Sequence, residues 1–183
     1  MNRISAWFTC VWTLAAMLCA PPAFATLKEG AVAPLFTAPA SVGGKEFTFS
    51  LADALKNGPV VLYFYPAAFT KGCTIEAHNF AAATDDFKAL GATVIGVSYD
   101  NIETLDKFSV SECRNKFAVA ADGDQKIMKS YDAVLWFKPS VADRTSYVIS
   151  PDDRIIFAYS ALDPTGHVEK TMAAVKKWHD SHP

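Results

Sequence analysis

The chain has 183 residues, 51% hydrophobic and 20% charged, a globular balance that excludes a disordered, collagenous or wholly membrane-embedded polypeptide. Its formal charge is −2 and no basic run appears after the N-terminal segment, so nucleic acid is not an expected partner.

The N-terminal segment reads as a targeting element. Arg3 precedes an uncharged run from Ile4 to Ala20, then Pro21-Pro22 and Ala23-Phe24-Ala25. A basic start, an apolar middle and an Ala-x-Ala end make a cleavable secretory signal, cut after Ala25. The run is short of the roughly 20 apolar residues of a membrane span and contains Ser5, Thr9 and Thr13, which argues against an uncleaved anchor. Leu18 before Cys19 is too large for lipoprotein processing. The expectation is a secreted, periplasmic protein without stable membrane association after cleavage, with one domain over residues 26–183. A domain of that size buries about 68–70% of its unfolded surface. Of the four cysteines, Cys10 and Cys19 lie in the signal, leaving Cys73 and Cys113. Two thiols in an oxidising compartment suggest one disulfide, structural or catalytic.

Pro34, Pro39 and the turn pair Gly43-Gly44 flank apolar stretches at Leu35-Phe36 and Phe47-Phe49, which predicts an N-terminal hairpin lying over a sheet edge. Val60 to Tyr65 is a continuous apolar, β-branched and aromatic run, the pattern of a strand buried on both faces, and Pro66 ends it. From Thr74 to Leu90, Ile75, Ala77, Phe80, Ala83, Phe87 and Leu90 recur at three- and four-residue steps, predicting a helix with one core-facing stripe, stopped by Gly91. A second buried strand at Val94–Tyr99 completes a right-handed βαβ crossover with parallel strands.

Asp100 and Glu103 resemble a capping box that opens a helix through Leu105 and Phe108 toward Cys113. A short strand near Phe117–Ala120, a helix from about Gln125 to Tyr131 and a loop around Pro139 follow. Ser146–Ile149 and Ile155–Tyr159, joined by the Pro151-Asp152-Asp153 turn, read as an antiparallel hairpin. The last helix, Val168 to Trp178, should lay Val168, Met172, Val175 and Trp178 against that sheet. A βαβ unit followed by a ββα unit, with a cysteine at the first turn of the helix after the first long strand, is a thioredoxin-like arrangement. The expected fold class is therefore α/β, an α/β/α sandwich with a central mixed sheet and an N-terminal β-hairpin.

The stretch from Tyr63 to Ala77 carries the chemistry. Pro66, Thr70 and Cys73, at steps of four and three, resemble the peroxiredoxin signature of the AhpC/TSA superfamily. Phe69 before Thr70, the Cys73-Thr74 pair and Glu76 are most similar to the bacterioferritin-comigratory, or Q-type, branch. The resemblance runs from about Leu27 to Trp178. It implies a thiol peroxidase, an oxidoreductase that reduces hydrogen peroxide and organic hydroperoxides through a sulfenic acid on Cys73.

The physical demands can be stated independently. A free thiol of pKa about 8.5 is only about 3% thiolate at pH 7, and the thiolate is the nucleophile. Ionising most of such a thiol takes a drop of roughly 2 units, or about 3 kcal/mol of preferential stabilisation of the anion, of which a helix N-terminus supplies about 0.3–2 kcal/mol. A cation is also needed. The family places an arginine just before the later strand, and Arg144 occupies that point. Its planar fork suits holding a thiolate and peroxide oxygens together. Thr70 and the Cys73 backbone N–H would orient the peroxide, Pro66 would shield the sulfur, and Glu76 would hold Arg144. Taken singly, Pro66 could merely end a strand, Thr70 cap the helix, Arg144 be a solvated charge and Cys73 an inert buried thiol; it is their joint occurrence that points to catalysis.

His78 stands five residues after Cys73, where many Q-type members carry the resolving cysteine, so that route is absent and His78 reads as an exposed helical histidine. Some relatives place the resolver on the following helix, which implies a Cys73–Cys113 disulfide after turnover, formed by local unwinding because the side chains should lie too far apart in the reduced fold. In the other reading Cys113 is a packed bystander and a foreign thiol resolves Cys73. The resemblance further implies a thioredoxin-like or other thiol reductant and a monomer or weak dimer. No metal, flavin or haem signal is visible. His167, His179 and His182 read as surface residues of the tail. The rival functions are thioredoxin-like thiol–disulfide exchange, which wants a cysteine where Thr70 stands, a metal-delivery module, which wants two close cysteines and a histidine, and a structural protein without activity.

Overall fold

Residues 26–182 are described by a computed structural model; the segment read as a secretory signal lies outside them. In chain order, the hairpin of β1 (Thr37–Val42) and β2 (Lys45–Ser50) leads into the short helix α1 (Leu51–Leu55) and strand β3 (Val60–Phe64). Helix α2 (Lys71–Ala89), strand β4 (Thr93–Ser98), helix α3 (Ile102–Ser111) and strand β5 (Ala118–Ala121) follow. Then come α4 (Lys126–Ser130), β6 (Val134–Leu135), β7 (Lys138–Ala142), β8 (Thr145–Ile149), β9 (Ile155–Ser160) and α5 (His167–Ser181).

Seven strands form one mixed sheet in the order β2-β1-β5-β4-β3-β8-β9. The pairs β3/β4 and β4/β5 are parallel, as a helical crossover requires. The pairs β3/β8 and β8/β9 are antiparallel. Every residue of β3 is buried because the strand is central and covered on both faces. Val60, Leu62 and Phe64 face a core closed by Leu51 and Leu55 of α1 and Ile127 and Met128 of α4. Val61 and Tyr63 face the opposite core, closed by Phe80 and Phe87 of α2, Leu105 and Phe108 of α3 and Val175 of α5. The expected thioredoxin-like sandwich is therefore present.

Several expectations are corrected. The N-terminal hairpin extends the sheet, pairing Ala40 with Ala120, instead of lying over its edge. The segment around Pro139 forms the two-stranded β6–β7 ribbon, not a loop; proline is tolerated there because each strand of such a ribbon has a free edge. Helix α3 is capped by Asn101, whose side chain accepts the Thr104 N–H at 2.9 Å, because the Asp100 carboxylate is engaged elsewhere. The buried stripe of α2 contains Glu76 and Thr84 alongside Ala77, Phe80 and Phe87, while Ile75 is exposed. On α5 the fully buried positions are His167, Thr171 and Val175, with Val168, Met172 and Trp178 only half-buried. In both helices the inward face is turned so that polar residues enter the interior.

Candidate active site

The segment between β3 and α2 is fixed at several points. Tyr65 N–H donates to Val97 O at 3.1 Å, continuing the β3–β4 ladder by one residue. Asp100 Oδ2 accepts the Ala68 N–H and the Ser98 hydroxyl, each at 2.8 Å. Phe69 has a left-handed backbone, φ 62°, which is strained for a bulky residue. Its ring meets Phe108 of α3 edge-on, centroids 5.2 Å apart. Pro66 is half-buried where the strand ends. Thr70 occupies the N-cap position of α2 but does not cap the helix with its side chain; its hydroxyl donates to Ala67 O at 3.0 Å.

This path sets Cys73, which is buried, into the first turn of α2. The first N–H groups of a helix have no intrahelical acceptor, and that of Cys73 finds none among the described residues. Arg144, immediately before β8, also reaches the sulfur. Its Nη2 lies 3.5 Å from Cys73 Sγ, its Nε donates to Leu162 O at 3.0 Å, and its Nη1 donates to Glu76 Oε2. All three arms of the fork are thereby held, and the side chain is only 6% exposed. Gly72 makes the approach possible, since a Cβ there would stand 2.9 Å from Arg144 Nη2.

Burial pushes the Glu76 carboxyl up to about 8, against the opposing pull of Arg144. For Arg144, burial disfavours the charge, but Glu76 and the Cys73 sulfur outweigh it and raise its proton affinity. A buried guanidinium 3.5 Å from a sulfur at a helix N-terminus can stabilise a thiolate and, afterwards, the oxygen that leaves a cleaved O–O bond.

Of the residues selected from sequence, Cys73, Arg144 and Glu76 form one bonded cluster, with Thr70 and Pro66 on the adjoining loop. Cys113 is not joined to Cys73; both are free, buried thiols, and burial, reinforced by Glu112, pushes the Cys113 thiol up well beyond its ordinary value. His78 is not an idle exposed side chain, because its Nε2 lies 2.9 Å from Glu112 Oε2 at the end of α3. His167 overturns the surface reading altogether. It is fully buried, with Nδ1 at 2.8 Å from Ser146 Oγ and Nε2 at 3.0 Å from Ala161 O. Its only sequence signal was a histidine directly after Gly166, at the start of an amphipathic helix. Among the described residues no three His, Cys, Asp or Glu side chains converge as a metal site, and no helix is long and apolar enough to cross a membrane.

The AhpC/TSA family model matches residues 30–158. The chain belongs to the AhpC/TSA family. Among curated relatives, peroxiredoxin Bcp of Xanthomonas campestris is 30% identical over 149 residues, covering 79% of this chain and 91% of the relative. Peroxiredoxin Bcp of Escherichia coli is 28% identical, covering 82% of this chain and 97% of the relative. Among solved structures, peroxidoxin BcpB from Mycobacterium tuberculosis superposes with a TM-score of 0.75 at 28% identity, covering 82% of this chain and 97% of that one. A PrxQ cysteine mutant from Xylella fastidiosa gives 0.74 at 26% identity, covering 84% and 98%. The resemblance to the Bcp and Q-type peroxiredoxins is thus borne out, and with it the class of enzyme, an oxidoreductase of the thiol-peroxidase kind.

Proposed function

We propose that Cys73 is the nucleophile of a hydroperoxide reductase, with Arg144, Thr70, Glu76 and Pro66 building its pocket. The observation that carries this is the Nη2–Sγ approach of 3.5 Å at the amino end of α2. The Cys73 thiolate attacks one oxygen of R–O–OH and the O–O bond breaks. The sulfur becomes Cys73–S–OH, and the departing alkoxide, held by Arg144 and the Cys73 N–H, takes a proton from water to leave as the alcohol. Thr70, whose hydroxyl hydrogen is committed to Ala67 O, accepts a hydrogen bond from the peroxide O–H.

In the second half-reaction Cys113 attacks the sulfenic acid, the Cys73–Cys113 disulfide forms and water leaves; a thioredoxin-like dithiol reduces the disulfide. Both thiols are buried, so this step requires the first turn of α2 to unwind and the chain beyond α3 to open. The signal-like segment 1–25 supports export to the periplasm as a single domain over 26–183, acting as a monomer or weak dimer.

Peroxide consumption by wild type and by Cys73→Ser tests the first step: loss of turnover in the variant is expected, and equal rates would refute it. Mass spectrometry after one equivalent of peroxide tests the second. A Cys73–Cys113 crosslink is expected in wild type and a persistent sulfenic acid in Cys113→Ser; sulfenic acid without crosslink in wild type would remove Cys113 from the cycle. Growth-medium and periplasmic fractions probed for a chain starting after Ala25 test export, with an uncleaved cytoplasmic chain as the contrary result.

A further inference from the structure

The Glu76 carboxyl that grips Arg144 also faces a buried polar group that the peroxide chemistry does not use, the His167 ring. Glu76 and His167 are both fully buried, and His167 Nδ1 lies 3.6 Å from Glu76 Oε1. That oxygen has no hydrogen-bond partner among the described residues. The other ring nitrogen fixes the tautomer. Nε2 faces the Ala161 carbonyl at 3.0 Å, and a carbonyl only accepts, so Nε2 carries the hydrogen. A neutral His167 therefore presents a bare Nδ1, which takes the Ser146 hydroxyl hydrogen at 2.8 Å and offers nothing to Glu76.

With Cys73 as thiolate, Arg144 as cation and Glu76 as carboxylate, the cluster would bury a net negative charge together with an unpaired carboxylate oxygen, and both are costly. One added proton removes the net charge and gives Oε1 its partner. We propose that Glu76 and His167 hold one proton between them, so that Glu76 grips Arg144 as a neutral acceptor and the guanidinium charge is left to the Cys73 sulfur. The gap of 3.6 Å is longer than a hydrogen bond and closes by a small rotation of the Glu76 carboxyl.

Other groups facing the ring are Arg144 and Asp143 before β8, Asp163 in the loop before α5, and the Tyr159 ring of β9 at 4.8 Å. Burial raises Glu76 to about 8 and lowers His167, which puts the proton nearer the carboxyl. His167 is thus a positioning residue that acts through Glu76 and Arg144. The inference rests on the peroxidase reading and extends it.

Reduced protein with 15N-labelled histidine, titrated from about pH 6 to about pH 10, tests it through the His167 Nδ1 shift and the infrared carboxyl band of Glu76. Both signals should change at one midpoint, with Nε2–H retained throughout, and the His167 step should vanish in Glu76→Gln. The rate of Cys73 with peroxide should decline through the same midpoint in wild type and show no such decline in Glu76→Gln. His167→Gln keeps an N–H in reach of Ala161 O but cannot share the proton; in it the carboxyl midpoint should move by about tenfold or more in proton concentration. A silent Nδ1, or a His167 step unchanged in Glu76→Gln, would leave His167 a mere packing anchor and overturn the proposal. The two spectroscopic signals need no turnover, so a wild type that consumed no peroxide would refute the peroxidase reading separately.

Discussion

Gly72→Ala is the most demanding probe of how this site works, because it should strengthen the helix while weakening the chemistry. Alanine favours a helix interior over glycine by up to about 1 kcal/mol, and Gly72, the second residue of α2, should gain part of that in the first turn. Its new methyl would stand 2.9 Å from Arg144 Nη2, against 3.4 Å or more in ordinary contact. The guanidinium must retreat by roughly 0.5–1 Å to restore that contact, and it cannot do so freely because Glu76 and Leu162 O hold its other arms. From the present Nη2–Sγ distance of 3.5 Å, a retreat of about 1 Å at an effective dielectric of about 20 weakens the attraction from about 4.7 to about 3.7 kcal/mol. That difference of about 1 kcal/mol is roughly a fivefold fall in the thiolate population. The assay is the rate of Cys73 alkylation by iodoacetamide, at a pH below the plateau of the wild-type profile, beside thermal melts of both proteins. A melting temperature equal to or above wild type with roughly fivefold slower alkylation is expected. An unchanged alkylation rate would refute the claim that close approach of Arg144 is what ionises the sulfur.

Two further outcomes follow from the same cluster. Glu76 is raised from 4.5 to about 8 by burial, so between these values the folded chain binds a proton that the unfolded chain has lost; the stability that this proton contributes is full below about pH 4.5 and falls as pH rises toward 8, by up to about 1.4 kcal/mol per pH unit. Urea denaturation at several pH values should show the stability difference between wild type and Glu76→Gln shifting by up to that slope, a comparison in which the opposing contribution of His167 cancels; a difference that does not change with pH would sink the assignment. Asp100→Ala removes the acceptor of the Ala68 N–H and of the Ser98 hydroxyl; leaving such groups unpaired costs about 1–3 kcal/mol, so both the melting temperature and the peroxide rate should drop. A rate equal to wild type in stopped flow would show that the Pro66–Thr70 segment holds its shape without this tether.

The apolar run of β3, the second run of β4 and the spacing of the α2 helix were legible because each is a local pattern: side-chain period and turn residues act within a few positions of themselves. Chain order then predicted that β3 and β4 are parallel, as they are, and the joint spacing of Pro66, Thr70 and Cys73 pointed to the proposed nucleophile. What sequence could not decide is which polar residues go inside. His167 reads as a surface residue of the tail, and Thr84 and Thr171 fall outside the apolar stripes of their helices, yet all three are buried with Glu76. Glu76 is compensated by Arg144, 68 positions away, and His167 by Ser146, 21 positions away. Likewise Asp100 reads as a helix cap until the fold brings Ala68 to it from 32 positions earlier. Burying a polar group is tolerable only when a partner meets it; Thr84 and Thr171 find theirs one helical turn back, whereas Glu76, His167 and Asp100 meet theirs only once the sheet has formed, so the tertiary structure alone decided that His167 is buried beside Glu76 and that Asp100 tethers the loop before α2.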